Sequence, residues 1–301
     1  MKGQSMYAFR FGVALHVPST RREWVEKCKK AESLGYDTIA VADHLGMPAP
    51  FPAIVLAAEA TERVRLGTHM LNANFYRPAL AARDIASTDL FIDGRLELGL
   101  GAGHARREFE AAGLPYGSGG ERVDGLQRMV SELRRLFADP DVLPRPAQRP
   151  GPPLMIAGRG DRLLRYAARE ADIIGFSGAS TSRHEDGGLP AFASAESMAE
   201  RVDFVRAALG DRVGEVEFNS TVPTVVITND SGAALEKAAP FAPHLSIEER
   251  AEAPSLLVGT TRQIGDKLRK NRERLGFGYI TVLEGGMDAM GQVMELLRSP
   301  V

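Results

Sequence analysis

The stretch "YDTIAVADHLG" (residues 36–46) decides how the chain is read. Its centre, Thr38 to Ala42, is a short apolar run suited to a buried strand. The run stops abruptly at Asp43 and His44, two groups that are costly to bury without partners. Outward from this stretch, short runs rich in valine, isoleucine and leucine alternate with longer amphipathic segments, the pattern of a parallel sheet covered by helices. Strand candidates are 9–15, 38–42, 64–71, 95–101, 153–157, 172–176, 215–227 and 279–285. Helix candidates lie between them, near 20–34, 51–61, 78–92, 120–137, 161–170, 194–209, 260–275 and 288–298. Eight strand-helix units predict an α/β chain closed into a single (β/α)8 TIM barrel, with loop insertions at its C-terminal face.

Length agrees with one domain. At 301 residues the chain is long for an ordinary unit, but barrels of this class fill such a length with one core, so a single domain over 1–301 is expected, residues 1–6 being a flexible N-terminus. The 37 basic and 39 acidic residues nearly cancel, which gives no reason to expect nucleic acid or a membrane surface as partner. With Cys28 alone the chain can form neither an internal disulfide nor a cysteine-based zinc site, and this fits a reducing cytoplasm. Cys28 itself reads as a helix residue without chemistry. "MKGQSMYAFR" (1–10) lacks the apolar core of a signal peptide, and no later apolar run is long enough to span a bilayer, so the expected location is cytoplasmic.

Local signals refine the outline. Pro78 stands where a first-turn proline is harmless, while Gly35 and Gly94 stand where left-handed helix ends are wanted. "ADPDVLPRPAQRPGPP" (138–153) reads as a surface connection, and the polar "STSRHEDGGLPAF" (180–192) as a lid over the sixth strand.

In a barrel, chemistry gathers at the carboxyl ends of the strands. His16, His44, His69 and His104 follow the first four strand runs in turn, whereas His184 and His244 fall in loops. A histidine at a strand end is commonly just a hydrogen-bonded wall residue, but four on consecutive units indicate a functional mouth. A metal site is the obvious competitor, because imidazole is a frequent ligand. The His-x-His pair of barrel metallohydrolases is absent from the first strand, and no metal is expected. Gly99, Gly101 and Gly103 would let a flat ring or a phosphate approach the backbone, or would fit the taper of the barrel; both readings stay open. "IAGRGDRLLRYAARE" (156–170) puts Gly158, Arg159 and Gly160 between a strand and a helix, with Arg162 close by, an arrangement that suits an anion. "GFSGAST" (175–181) offers similar small donors one unit later, so the fifth and sixth units read as a phosphate cradle.

The stretch from "VRLGTHMLNANFYRP" to "LELGLGAGHARREFEAAG" (64–113), with "ADH" (42–44), resembles the luciferase-like monooxygenase superfamily, more closely its branch that uses the deazaflavin coenzyme F420. FMN-using relatives share much of the pattern. The resemblance implies that Asp43 contacts the ring system and that His44 is a proton acceptor or donor beside its reactive face. It implies a cis His69–Met70 peptide bond behind the ring, with Ala102 and Gly103 approaching the cofactor. It also assigns Gly158, Arg159, Gly160, Ser177 and Gly178 to the phosphate region. Sugar-phosphate dehydrogenases of the superfamily carry a glutamate acid where this chain has His104, which either replaces that acid or contacts the cofactor. Arg106, Arg107, Tyr76, Phe75 and Trp24 are weaker suspects, with solvated faces and packing as their default roles. Three functions follow as expectations: an F420-dependent oxidoreductase moving a hydride to or from a small organic substrate, an FMN-dependent monooxygenase fed by a separate reductase, or a catalytically silent flavin-binding protein. The resemblance further implies a homodimer.

Overall fold

Strands in which small or polar residues alternate with large apolar ones can bury both faces when a barrel encloses one face and helices cover the other. The computed structural model describes residues 9–178 and 191–298. The expected tail (1–6) and, of the expected lid, residues 180–190 with His184 lie outside the described residues. In chain order the strands are β1 (Arg10–Leu15), β2 (Thr38–Val41), β3 (Arg65–Thr68), β4 (Leu71–Asn72), β5 (Leu96–Gly101), β6 (Leu154–Ala157), β7 (Ile173–Phe176), β8 (Glu217–Val222), β9 (Thr224–Ile227), β10 (Leu256–Gly259) and β11 (Phe277–Leu283). Eight of them form a parallel barrel in the order β3-β2-β1-β11-β8-β7-β6-β5, and the pairs Leu66–Leu96 and Gly67–Glu97 close it.

Two sequence runs divide in ways that periodicity did not reveal. The run 64–71 stops at Thr68 and resumes as β4 beyond His69–Met70, whose peptide bond is cis. The run 215–227 breaks at Pro223, which has no N–H to continue a ladder. Beyond it β9 leaves the barrel and pairs in parallel with β10, a four-residue strand too short to stand out in the sequence. Helices Ser231–Lys237 and Ile247–Glu252 lie between those two strands and form with them an insertion after β8 at the C-terminal face. Its small core consists of Phe192, Ala238, Ala242, Leu245, Ala253 and Leu256.

Eight helices coincide with the candidates, from Arg21–Ser33 to Met287–Arg298. Their starts are specified locally: Thr20 with Glu23, Ser118 with Glu121, and Thr260 with Gln263 form reciprocal capping boxes. Between strands and helices the main core is aliphatic, with Trp24 donating its Nε1–H to the Ala53 carbonyl at 3.0 Å. Trp24 is therefore packing. So is Cys28, whose thiol is pushed up to about 12 by burial.

The barrel interior is built differently. At its amino end Arg10 bonds Glu97, Glu217 at 2.8 Å and Thr38 at 3.0 Å, and lies over the Tyr279 ring, whose hydroxyl donates to Glu97 at 3.1 Å. Above this network room is made by glycine. A Cβ on Gly12 would stand 3.1 Å from the Tyr279 ring, and one on Gly99 would stand 2.7 Å from the Met70 sulfur. Tyr279, Met155 and Ile173 fill the centre, and Met70 packs on them from above. Buried charges last only while paired. Arg10→Met should therefore leave Glu217 without its ion pair and Glu97 with only the longer 3.7 Å pair to Arg65, and cost about 3–5 kcal/mol of stability, read as a lower urea midpoint with little change in slope.

Candidate active site

The mouth of the barrel is organised by Asp43. Its Oδ2 accepts the Asn72 N–H at 2.8 Å and its Oδ1 the Tyr76 hydroxyl at 3.3 Å. Burial pushes this carboxyl above the usual range, and the two donors pull the other way. Asp43 thus ties β2 to the segment after the cis bond, and Tyr76, a weak suspect from sequence, is part of the tie. Asn72 in turn explains Gly103. That residue has φ +74°, and a Cβ there would stand 2.6 Å from the Asn72 amide. Asn74 continues the lattice by donating to the Ala102 carbonyl at 2.9 Å and the Arg122 carbonyl at 3.0 Å.

The glycines of β5 are required by the neighbouring strand. A Cβ on Gly99 would collide with the Thr68 carbonyl, and one on Gly101 would stand 3.2 Å from the Met70 Cβ. Their missing side chains make room for the protein's own bulge. Thr68 replaces the interrupted ladder by donating to the Gly99 carbonyl at 2.7 Å while accepting its N–H at 3.0 Å. Met70 is consequently the floor of the mouth. His69 reaches across to Thr221 on β8, with Nε2 3.1 Å from Oγ1. Burial pushes its imidazole down to about 4, so it is neutral near pH 7.

His44 and His104 are brought together, their ring centroids 5.6 Å apart and the planes nearly perpendicular. His44 Nδ1 is 2.8 Å from Glu108 Oε1, a partner the sequence reading passed over although it stands four residues after His104. His104 is held through its backbone, because Tyr116 donates its hydroxyl to the His104 carbonyl at 2.9 Å. The Arg122 guanidinium lies 3.9 Å from the Tyr116 ring centre and that of Arg106 4.7 Å from it. Loss of water around the His104 imidazole lowers its pKa, and His44 and the Arg159 and Arg122 charges reinforce this. Phe75 packs on Phe109. His16 belongs to another bracket: its N–H and that of Val17 donate to Glu284, which also pairs with Lys27.

The second cluster lies one turn around the rim. Gly158, Arg159, Ser177 and Gly178 line one pocket together with Ser197 and Arg201 from the helix Ala195–Leu209. Ser197 and Arg201 were not singled out in the sequence, because they lie beyond the expected lid. Gly160 caps the helix Asp161–Glu170 without a side-chain acceptor for its N–H groups. Arg159 Nη1 is buried with no hydrogen-bond partner among the described residues. Arg162, expected to help, instead bonds Asp124 and the Gly120 carbonyl. An anion would find unmatched positive charge and free N–H groups here. Among the described residues no group of three or more His, Cys, Asp or Glu is arranged to hold a metal ion, and no helix is long and apolar enough to cross a membrane.

Comparison with known proteins bears on this arrangement. A family model described as luciferase-like monooxygenase matches residues 1–279. An F420-dependent glucose-6-phosphate dehydrogenase of Intrasporangium calvum is 32% identical over 74% of this chain and 70% of its own length. The oxygenase component of a flavin-dependent trigonelline monooxygenase from Acinetobacter baylyi is 30% identical over 49% of this chain and 46% of its own. In fold, the chain superposes with a TM-score of 0.76 on a coenzyme F420-dependent tetrahydromethanopterin reductase of Methanopyrus kandleri, at 16% identity, covering 97% of this chain and 100% of that one.

The depressed pKa of His69 has a pH consequence. Between about 6.5 and about 4 the unfolded chain binds a proton that the native His69 does not, so stability should be full above that window and fall as pH is lowered through it. His69→Gln should flatten this part of the stability-pH curve, measured by urea unfolding at stepped pH.

Proposed function

Because the chain belongs to the luciferase-like monooxygenase family, we propose that it is an oxidoreductase that binds the deazaflavin coenzyme F420 and exchanges a hydride with a small organic substrate. The observation that carries this reading is the unpartnered Arg159 guanidinium nitrogen in a pocket shared with Gly158, Ser177 and Gly178, close enough to His104 to lower its pKa. These residues fit the anionic part of such a cofactor, and the Ala102–Gly103 backbone and the His69–Met70 bulge lie at the mouth where its ring would rest. Deazaflavin, when bound, supplies two-electron carbon chemistry with little reactivity toward oxygen, which favours dehydrogenase or reductase activity.

The chain's own residues then have two tasks. Arg159 and the free N–H groups at the start of the helix Asp161–Glu170 would bind and orient the anion. His44 would take the proton from a substrate hydroxyl, or return one to the alkoxide, with His104 alongside. His104 stands where sugar-phosphate dehydrogenases of the family carry glutamate, and this argues against a sugar phosphate as substrate. The FMN-dependent monooxygenase reading, with a separate reductase, is supported by the likeness to the trigonelline enzyme.

Titrating the purified protein with oxidised F420 and, separately, with FMN, followed by ligand fluorescence, should give at least about tenfold tighter binding of the deazaflavin; equal binding or a preference for FMN would overturn the assignment. Arg159→Ala should weaken that binding by roughly 10- to 100-fold, as expected for a lost charge-assisted contact. In His44→Ala, hydride transfer should fall by about 10²–10⁴ with binding preserved. Unchanged turnover would remove the proton-transfer role.

A further inference from the structure

No step above uses Glu108, yet its carboxylate makes the contact that orients His44. It lies in the first turn of the short helix Arg106–Ala111, whose backbone is anchored next door by the buried Phe109. Phe109 packs edge-on against Phe75 at 5.0 Å and Tyr116 at 5.3 Å, so Glu108 stands on a fixed base. From there Oε1 meets His44 Nδ1 at 2.8 Å. An ionised carboxylate only accepts hydrogen bonds, so the hydrogen resides on Nδ1, and in the neutral ring Nε2 then carries the lone pair.

We propose that Glu108 is the positioning residue of this site: it holds His44 in the Nδ1–H tautomer, leaving Nε2 as the atom that exchanges the proton, and its negative charge sustains the imidazolium once the proton has been taken. The inference deepens the oxidoreductase reading and rests on it for its catalytic meaning, while the tautomer itself can be tested independently. The other charged and titratable groups around the ring do not duplicate this role. Asp43, on the same loop, interacts with His44 through its charge but spends its hydrogen bonds on Asn72 and Tyr76, so it cannot select the tautomer. His104, from the β5 loop, presents a ring edge, and Arg159 and Arg122 bear on His104. Nothing in the sequence marked Glu108 out from Glu110, because the choice depends on which way a six-residue helix faces.

The test uses histidine labelled with ¹⁵N in the full-length protein without ligand, read by long-range ¹H–¹⁵N correlation across pH. In the wild type His44 should be Nδ1-protonated when neutral. In Glu108→Ala the population should move toward the Nε2–H tautomer, because Nδ1–H loses its acceptor. Glu108→Gln, whose amide oxygen still accepts, should keep the Nδ1–H tautomer. In the deazaflavin assay kcat of Glu108→Ala should drop on the order of tenfold or more while KM stays within a few-fold, and Glu108→Gln should recover part of the loss. A His44 tautomer unchanged in Glu108→Ala, or lost equally in Glu108→Gln, would overturn the proposal. If the wild-type protein shows no hydride transfer at all, the oxidoreductase reading falls while the spectra still decide the role of Glu108.

Discussion

A carboxylate that loses water at a strand end must be given donors by the protein, and the rest of this site follows from where Asp43 finds them. They come from the far side of a break in the third strand, so that β2 is fastened to a bulge and not to a continuous neighbour. The bulge turns Met70 down onto the barrel core and His69 across toward β8. It places Asn72 against Gly103, and through that contact it fixes where the fourth strand releases the chain toward His104. Asp43 is thus chiefly an architectural group. The imidazole beside it takes no part in this tie and turns instead to Glu108.

Most of the architecture was legible because it rests on short-range rules. Short apolar runs marked every barrel strand, and Pro78 and the glycine ends at Gly35 and Gly94 marked helix boundaries, since each is a local property of a few residues. The insertion after β8 was not legible. Its strand β10 is four residues long and its helices six and seven, too short to show a period, and Pro223 divides what reads as one long run. The site was legible in part. Residues directly after strands could be named from topology alone, which is why His44, His104, Gly158, Arg159 and Ser177 could be placed at the rim before any packing was known. Glu108, Asn72, Ser197 and Arg201 act through side-chain directions that only the packed chain defines. The β5 glycines show the opposite failure, where a true signal of close approach pointed to a ligand although the approaching atoms belong to Thr68 and Met70.

The two halves of the mouth differ in how their charges are balanced. Around Asp43, His44 and Glu108 each group has a partner within hydrogen-bonding distance, so that half is preorganised. At Arg159 one guanidinium nitrogen is buried without a hydrogen-bond partner among the described residues. His104 stands between them as an imidazole held toward its neutral form by lost hydration and by its cationic neighbours. A carboxylate at that position would tilt the local field the other way.

Gly178 links the rim to the insertion more tightly than its size suggests. Its carbonyl accepts the Ser255 hydroxyl at 3.0 Å, and any larger residue there would run into that same serine. The strand end at Gly178 and the β9–β10 unit are therefore parts of one mechanical piece. A side chain at Gly178 would displace Ser255, and with it the residue that leads directly into β10, so a change at the rim is transmitted into the insertion as a rigid shove and is not absorbed locally.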